Sequence, residues 1–227
     1  MYSVLPYGRT APPARLCGVA TARRVGAETS KKRDELLDCV ERLMVTKGYA
    51  GVSYRAVAAQ AEVTPGLVQY YFPTLDDLFC AAIRRRSDQN LRRLAAALEA
   101  RPDEPLRVLW EYSQEESSAA LTTEFLALGN HRKSIASVIA EVSEEIRRVQ
   151  LDAVSSRVGA AGATFEGLSA ETVLFLVTGV PKLIRLEASV GLSSAHAEVV
   201  GTFESVLAAV EPRQSRRRGR RRGSGGG

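Results

Sequence analysis

GYAGVSYRAVAAQAEVTPGLVQYYF, residues 48–72, decides how the rest of the chain is read. Ser53 stands before a run in which Val57, Ala58 and Ala61 share one helical face, and a hydroxyl in that place accepts a hydrogen bond from an orphan N–H of the first turn. A helix of about two turns is expected to start there. Thr64 repeats the pattern as a second hydroxyl cap, followed by Pro65 at the first helical position, where its missing N–H costs nothing. On the helix that follows, Val68 and Phe72 lie on one face with Val63 close by, while Leu67, Gln69, Tyr70 and Tyr71 fall around the rest. The buried side is apolar and the free side is left for contact, which is how a protein presents a helix to the major groove of DNA. Gly66 has no Cβ and sits at a helix N-terminus, so phosphate or a base edge can approach the backbone beside the positive end of the helix dipole. A tight helix crossing is the competing explanation for a glycine there.

Extended to GYAGVSYRAVAAQAEVTPGLVQYYFPTLDDL, residues 48–78, the stretch resembles the DNA-binding domain of the tetracycline-repressor (TetR) family. The resemblance covers about residues 29 to 80, with a first helix from Thr29 to Lys47. It implies that Ser53, Tyr54 and Arg55 make phosphate and base contacts from the second helix. It further implies that Thr64, Pro65, Gly66, Leu67, Gln69, Tyr70 and Tyr71 make those of the recognition helix. Arg55 and Gln69 are the candidates for reading bases, since a guanidinium suits guanine and a primary amide suits adenine; Tyr70 and Tyr71 suit phosphate. Two positions depart from the family pattern. Glu62 stands where a turn glycine is usual, so a side chain must take a left-handed conformation at a cost of about 1 kcal/mol. Leu75 stands where many relatives place a phosphate-gripping lysine.

The 227 residues suffice for a small DNA-binding domain and a larger helical one. Alanine, leucine, arginine and glutamate dominate and long stretches lack proline, so the expected class is all-α: an N-terminal three-helix helix-turn-helix domain over 29–75 and a larger helical ligand-binding and dimerisation domain over 76–212. Charge is unevenly divided. Residues 1–75 carry 10 Lys and Arg against 6 Asp and Glu, residues 76–212 carry 14 against 20, and residues 213–227 carry 7 against none. A basic front and tail around an acidic middle suit a protein that docks one end on phosphate and keeps its body clear.

Residues 1–28 hold three prolines and scattered arginines and read as a flexible basic arm. Arg23, Arg24, Lys31, Lys32 and Arg33 are placed where an arm reaches the minor groove or flanking phosphates. RRRGRRRGSGGG, within the tail 213–227, cannot bury anything and is expected to be disordered, adding salt-sensitive affinity for nucleic acid or simply solubility. Cys17, Cys39 and Cys80 lack disulfide or zinc spacing, and Cys39 and Cys80 read as small buried hydrophobes. No secretory segment is seen and no apolar run approaches the roughly 20 residues of a spanning helix. A cytoplasmic protein without a membrane partner is expected.

Beyond Pro73, Thr74 caps a long helix with Asp76 and Asp77 in its first turn. Further helices are expected over 106–128, ending at Gly129-Asn130, and over 135–158. The final pair spans 170–189 and 195–211, the former apolar on most sides, so that it must be covered all round. In the resembled family such a pair forms a four-helix bundle with a second subunit, which implies a homodimer through the last two helices and an inverted-repeat, double-stranded DNA operator. The resemblance also implies a pocket for a small apolar or amphiphilic effector. Trp110, Tyr112, Gln114, Phe125, Asn130, His131 and Phe175 are the candidate lining, because aromatic and amide groups suit such a ligand.

Catalysis finds no support. His131 and His196 are the two histidines, and hydrolase, metalloprotease and nucleotide-binding motifs are absent from the sequence. No cofactor or metal is expected. The reading is a ligand-responsive dimeric regulator, in the first instance a repressor, against the alternative of an architectural DNA-binding protein without effector.

Overall fold

The computed structural model describes residues 27–115, 119–160 and 167–212. The basic arm with Cys17, Arg23 and Arg24, and the arginine-rich tail, lie outside the described residues. Among the described residues are nine α-helices and no strand: α1 (Ala27–Lys47), α2 (Tyr54–Gln60), α3 (Pro65–Tyr71), α4 (Leu75–Ala100), α5 (Pro105–Glu115), α6 (Ala119–His131), α7 (Lys133–Ala160), α8 (Ala170–Ser189) and α9 (His196–Val210). A 3₁₀ turn, Tyr49–Gly51, joins α1 to α2. The chain divides into two compact units, one of residues 27–94 with 119–148, the other of residues 95–115 with 149–160 and 167–212.

The first unit is built on α1, which buries Leu36, Leu37, Val40, Leu43 and Met44 along one stripe. Against it lie Leu78, Phe79, Ala82 and Ile83 of α4, Val57 and Ala58 of α2, and Val68 of α3 with Phe72 at its end. Cys39 and Cys80 are buried in the same core. Leu121, Phe125 and Leu128 of α6 and Ile135, Val138 and Val142 of α7 complete it. Polar ties reinforce the packing. Arg85 of α4, with 13% of its side chain exposed, donates to the Asp34 carbonyl at 2.8 Å and pairs with Glu41 at 2.6 Å and Asp38 at 2.7 Å, all on α1. Its neighbour Arg84 turns to α7 and grips Glu141 through two bonds of 2.8 Å. Asp76 in the first turn of α4 is bonded by Ser134 and Arg132, and these hold its carboxyl below the usual carboxylate range against the opposing effect of burial.

In the second unit α5 packs along α8, burying Leu106, Leu109 and Trp110 together with Val173, Leu174 and Val177. The Trp110 ring stacks on Phe203 of α9 with centroids 4.7 Å apart, and its indole N–H donates to Glu204 at 2.9 Å. Buried Glu211, just past α9, accepts from the amides of Leu106 and Arg107 at 2.9 and 2.8 Å. It caps α5, although burial pushes its carboxyl up.

Two expectations are corrected. The span 106–128 is two helices: α5 and α6 are separate elements, because α5 supplies one core and α6 the other. Gly129 does not end α6, which runs on to His131. A Cβ at Gly129 would stand 3.0 Å from Ile139 Cδ1, so this glycine permits close approach of α7 instead.

Candidate nucleic-acid interface

Ser53 is the N-cap of α2 and its hydroxyl accepts from the Ala56 amide at 3.2 Å. α2 ends at Ala61, after which the Val63 amide bonds the Ala58 carbonyl at 2.9 Å. Glu62 has φ 54, so the turn does force a side chain into the left-handed region and carries the expected strain. Thr64 occupies the N-cap of α3 and Pro65 its first turn, but the Thr64 side chain makes no capping bond; extended backbone and proline define the start. Thr64 is exposed.

The recognition helix is fixed from below. Val68 and Phe72 are buried, and Val63 and Tyr71 pack at the edge of the core. Above, Thr64, Pro65, Gly66, Gln69 and Tyr70 are exposed, Tyr70 at 73%. Leu67 and Tyr71 are half-buried, and the rings of Tyr70 and Tyr71 meet edge to face, 5.4 Å apart. A Cβ built on Gly66 would meet nothing within 4 Å, so packing within the chain does not call for a glycine. Arg55 on α2 is exposed. The Arg33 guanidinium of α1 lies over the Phe72 ring, 5.1 Å from its centroid, which brings α1's basic start beside the end of α3.

Tyr54 is placed differently from the other expected contacts. Its hydroxyl donates to the Phe72 carbonyl at 2.9 Å, and burial, with Asp77 nearby, raises its pKa. The phenol's single proton is therefore spent inside the head, where it pins the start of α2 to the end of α3. Leu75 is half-buried against the core, which is what replaces the lysine of the family pattern. α4 starts behind it on a reciprocal cap: the Thr74 amide bonds Asp77 at 3.0 Å and the Asp77 amide bonds the Thr74 hydroxyl at 3.1 Å.

The seven residues expected to line an effector pocket are divided between the two units. Phe125 belongs to the core of the first unit, and Asn130 and His131 are exposed at the end of α6. In the second unit Trp110 is fully buried against Phe203, Tyr112 is half-buried, and Gln114 and Phe175 are exposed. A cavity of about 440 Å³ in that unit is lined by Ala100, Arg101, Pro102, Asp103, Glu104, Arg157, Glu211 and Pro212. It includes none of the seven, and its charged wall does not suit an apolar molecule. Sequence reasoning passed over Glu124, Arg85 and Glu211; their partners lie 44 to 105 positions away, and no local pattern signals such a pairing. Among the described residues no helix is long and apolar enough to cross a membrane and no group of side chains could hold a metal ion.

A three-helix head with a supported inner seam and an open outer flank is the geometry of a helix-turn-helix DNA-binding domain. Residues 36–82 match the family model of bacterial regulatory proteins, tetR family. The chain is 33% identical over 91 residues to the HTH-type transcriptional regulator AcrR of Shigella flexneri, a match spanning 40% of this chain and 42% of that relative's length. Among solved structures it resembles a protein from Saccharomonospora viridis in complex with choline, with TM-score 0.66 and 16% identity over 81% of this chain and 97% of the other. The multidrug binding protein EbrR complexed with imidazole superimposes with TM-score 0.53 and 26% identity over 82% and 98%.

Proposed function

We propose that the chain is a dimeric, ligand-responsive transcriptional regulator, a repressor that binds an inverted-repeat operator and is released by a small organic effector. The observation that carries the reading is the outer flank of α3, where Thr64, Gly66, Gln69 and Tyr70 lie exposed while Val68 and Phe72 anchor the opposite side. Ser53, Thr64, Tyr70 and Tyr71 position the head on phosphate, and Arg55 and Gln69 read base edges.

Dimerisation is supported by α8. Phe175, Leu176, Leu183 and Leu186, with Val190 just past its end, are exposed, and at the helical repeat they fall within one arc of about 100°. The buried Val173, Leu174, Val177 and Pro181 occupy the opposite side and already serve the unit's own core. Two apolar faces on one helix call for a second partner, and a twofold copy supplies it with no further protein. Two heads on one dyad also compensate for the few base contacts that a single head makes. The effector half of the reading is supported by relatives: choline is bound by the S. viridis protein and imidazole by EbrR.

The test is equilibrium binding to a DNA sequence selected by the full chain from a random pool, against random DNA at the same salt. A preference of about 10³ or more is expected. Arg55→Ala and Gln69→Ala should each cost about 1 to 3 kcal/mol on that sequence and relax selectivity at one position of each half-site. Equal affinity for all sequences, unaffected by either substitution, contradicts the proposal.

A further inference from the structure

The DNA-reading helices hang from the 3₁₀ turn that follows α1. Within it the amides of Gly51 and Val52 bond the carbonyls of Gly48 and Tyr49 at 3.1 Å. The Tyr49 amide, at the start of the turn, instead donates to the Glu124 carboxylate of α6 at 2.7 Å. This is a charge-assisted bond in a partly buried setting, where it is stronger than its counterpart in water. The backbone is shaped to receive it. Gly48 has φ 70, and a Cβ there would lie 3.3 Å from Glu124 Oε2, so the glycine provides both the left-handed turn and the room for the carboxylate. Two turns further along α6, the His131 ring lies on Tyr49 with centroids 6.1 Å apart. Between them Leu128 enters the shared core. Val52, next in the chain after the turn, is buried, and Ser53 then caps α2.

We infer that Glu124 is a positioning residue for the reading head: by holding the Tyr49 amide it sets the turn from which α2 and α3 are displayed, so the functional head includes α6. This rests on the DNA-binding reading above for its consequence, though not for its geometry. A carboxylate that only contributed to general stability would be replaceable without loss of operator selectivity in the folded protein. A positioning carboxylate is not, because a small tilt of the turn is carried to the base-reading side chains Arg55 of α2 and Gln69 of α3.

The test compares the full chain with Glu124→Met, which keeps the side-chain length and removes the acceptor, and Glu124→Gln, which keeps a carbonyl oxygen for the Tyr49 amide. Amide hydrogen exchange over residues 49–72 should rise about tenfold in Glu124→Met while α8 and α9 stay unchanged, and operator affinity should fall by about the same factor with non-specific affinity preserved. Glu124→Gln should restore most of both. Unchanged exchange over 49–72 in Glu124→Met, or an undiminished operator affinity, overturns the inference. A wild-type chain that selects no DNA sequence contradicts the proposed function instead, and the exchange measurement still decides whether Glu124 holds the turn.

Discussion

Replacing Phe175 and Leu183 together by aspartate should convert the proposed dimer to a folded monomer and weaken operator binding by about 10² to 10⁴-fold. The two side chains are 64% and 54% exposed, so aspartate at either position costs the isolated unit little. Buried against a second copy, four added carboxylates would face one another without partners, which is expensive at any interface. The large effect on DNA follows from linkage. A tethered pair of heads engages the second half-site at a high effective concentration, and separate monomers forfeit that advantage. Sedimentation equilibrium reads the oligomeric state and a binding titration reads the affinity. Melting close to that of wild type keeps misfolding out of the explanation. A variant that remains dimeric would place the subunit contact elsewhere than on α8.

The second large effect is expected at Gly66. An aspartate there meets open space on the protein side and sits in the first turn of α3, where a carboxylate favours the helix dipole by about 0.3 to 1 kcal/mol. Thermal stability should therefore hold or rise slightly. On DNA the same carboxylate would stand where phosphate or a base edge approaches, and like-charge juxtaposition costs several kcal/mol, so operator affinity should fall by roughly 10² or more. The two readouts move in opposite directions only if Gly66 serves DNA approach. Should Gly66→Asp unfold the head, the glycine would instead be a packing residue.

The local grammar of the head was readable from its residues. A hydroxyl at Ser53, a proline at Pro65 and apolar side chains at Val68 and Phe72 act within a turn or two of their own positions, so spacing alone carries their roles. Glu62 is similar: a non-glycine at the turn is conspicuous in sequence, and φ 54 is the outcome. Tyr54 was not readable, because its partner is a carbonyl 18 positions on and an aromatic at the start of α2 looks alike whether it faces DNA or pins the head. Phe125 and Trp110 illustrate the same degeneracy further along the chain. An aromatic at helical spacing has one signature for a ligand pocket and for a core, and here Phe125 joins the core of the first unit while Trp110 stacks on Phe203. The division of 106–128 between two units likewise depends on what each half packs against, which periodicity does not encode.

On the proposed function α3, supported by Val68 and Phe72, lays its outer flank along the major groove as half of a dyad. Hydroxyl-radical footprinting of the full chain on its selected operator tests it most directly. Two equivalent protected half-sites are expected on one face of the duplex, with centres about one helical turn apart or more, and both should be lost in Gly66→Asp. Uniform protection without half-sites, or a footprint that survives Gly66→Asp unchanged, would contradict it.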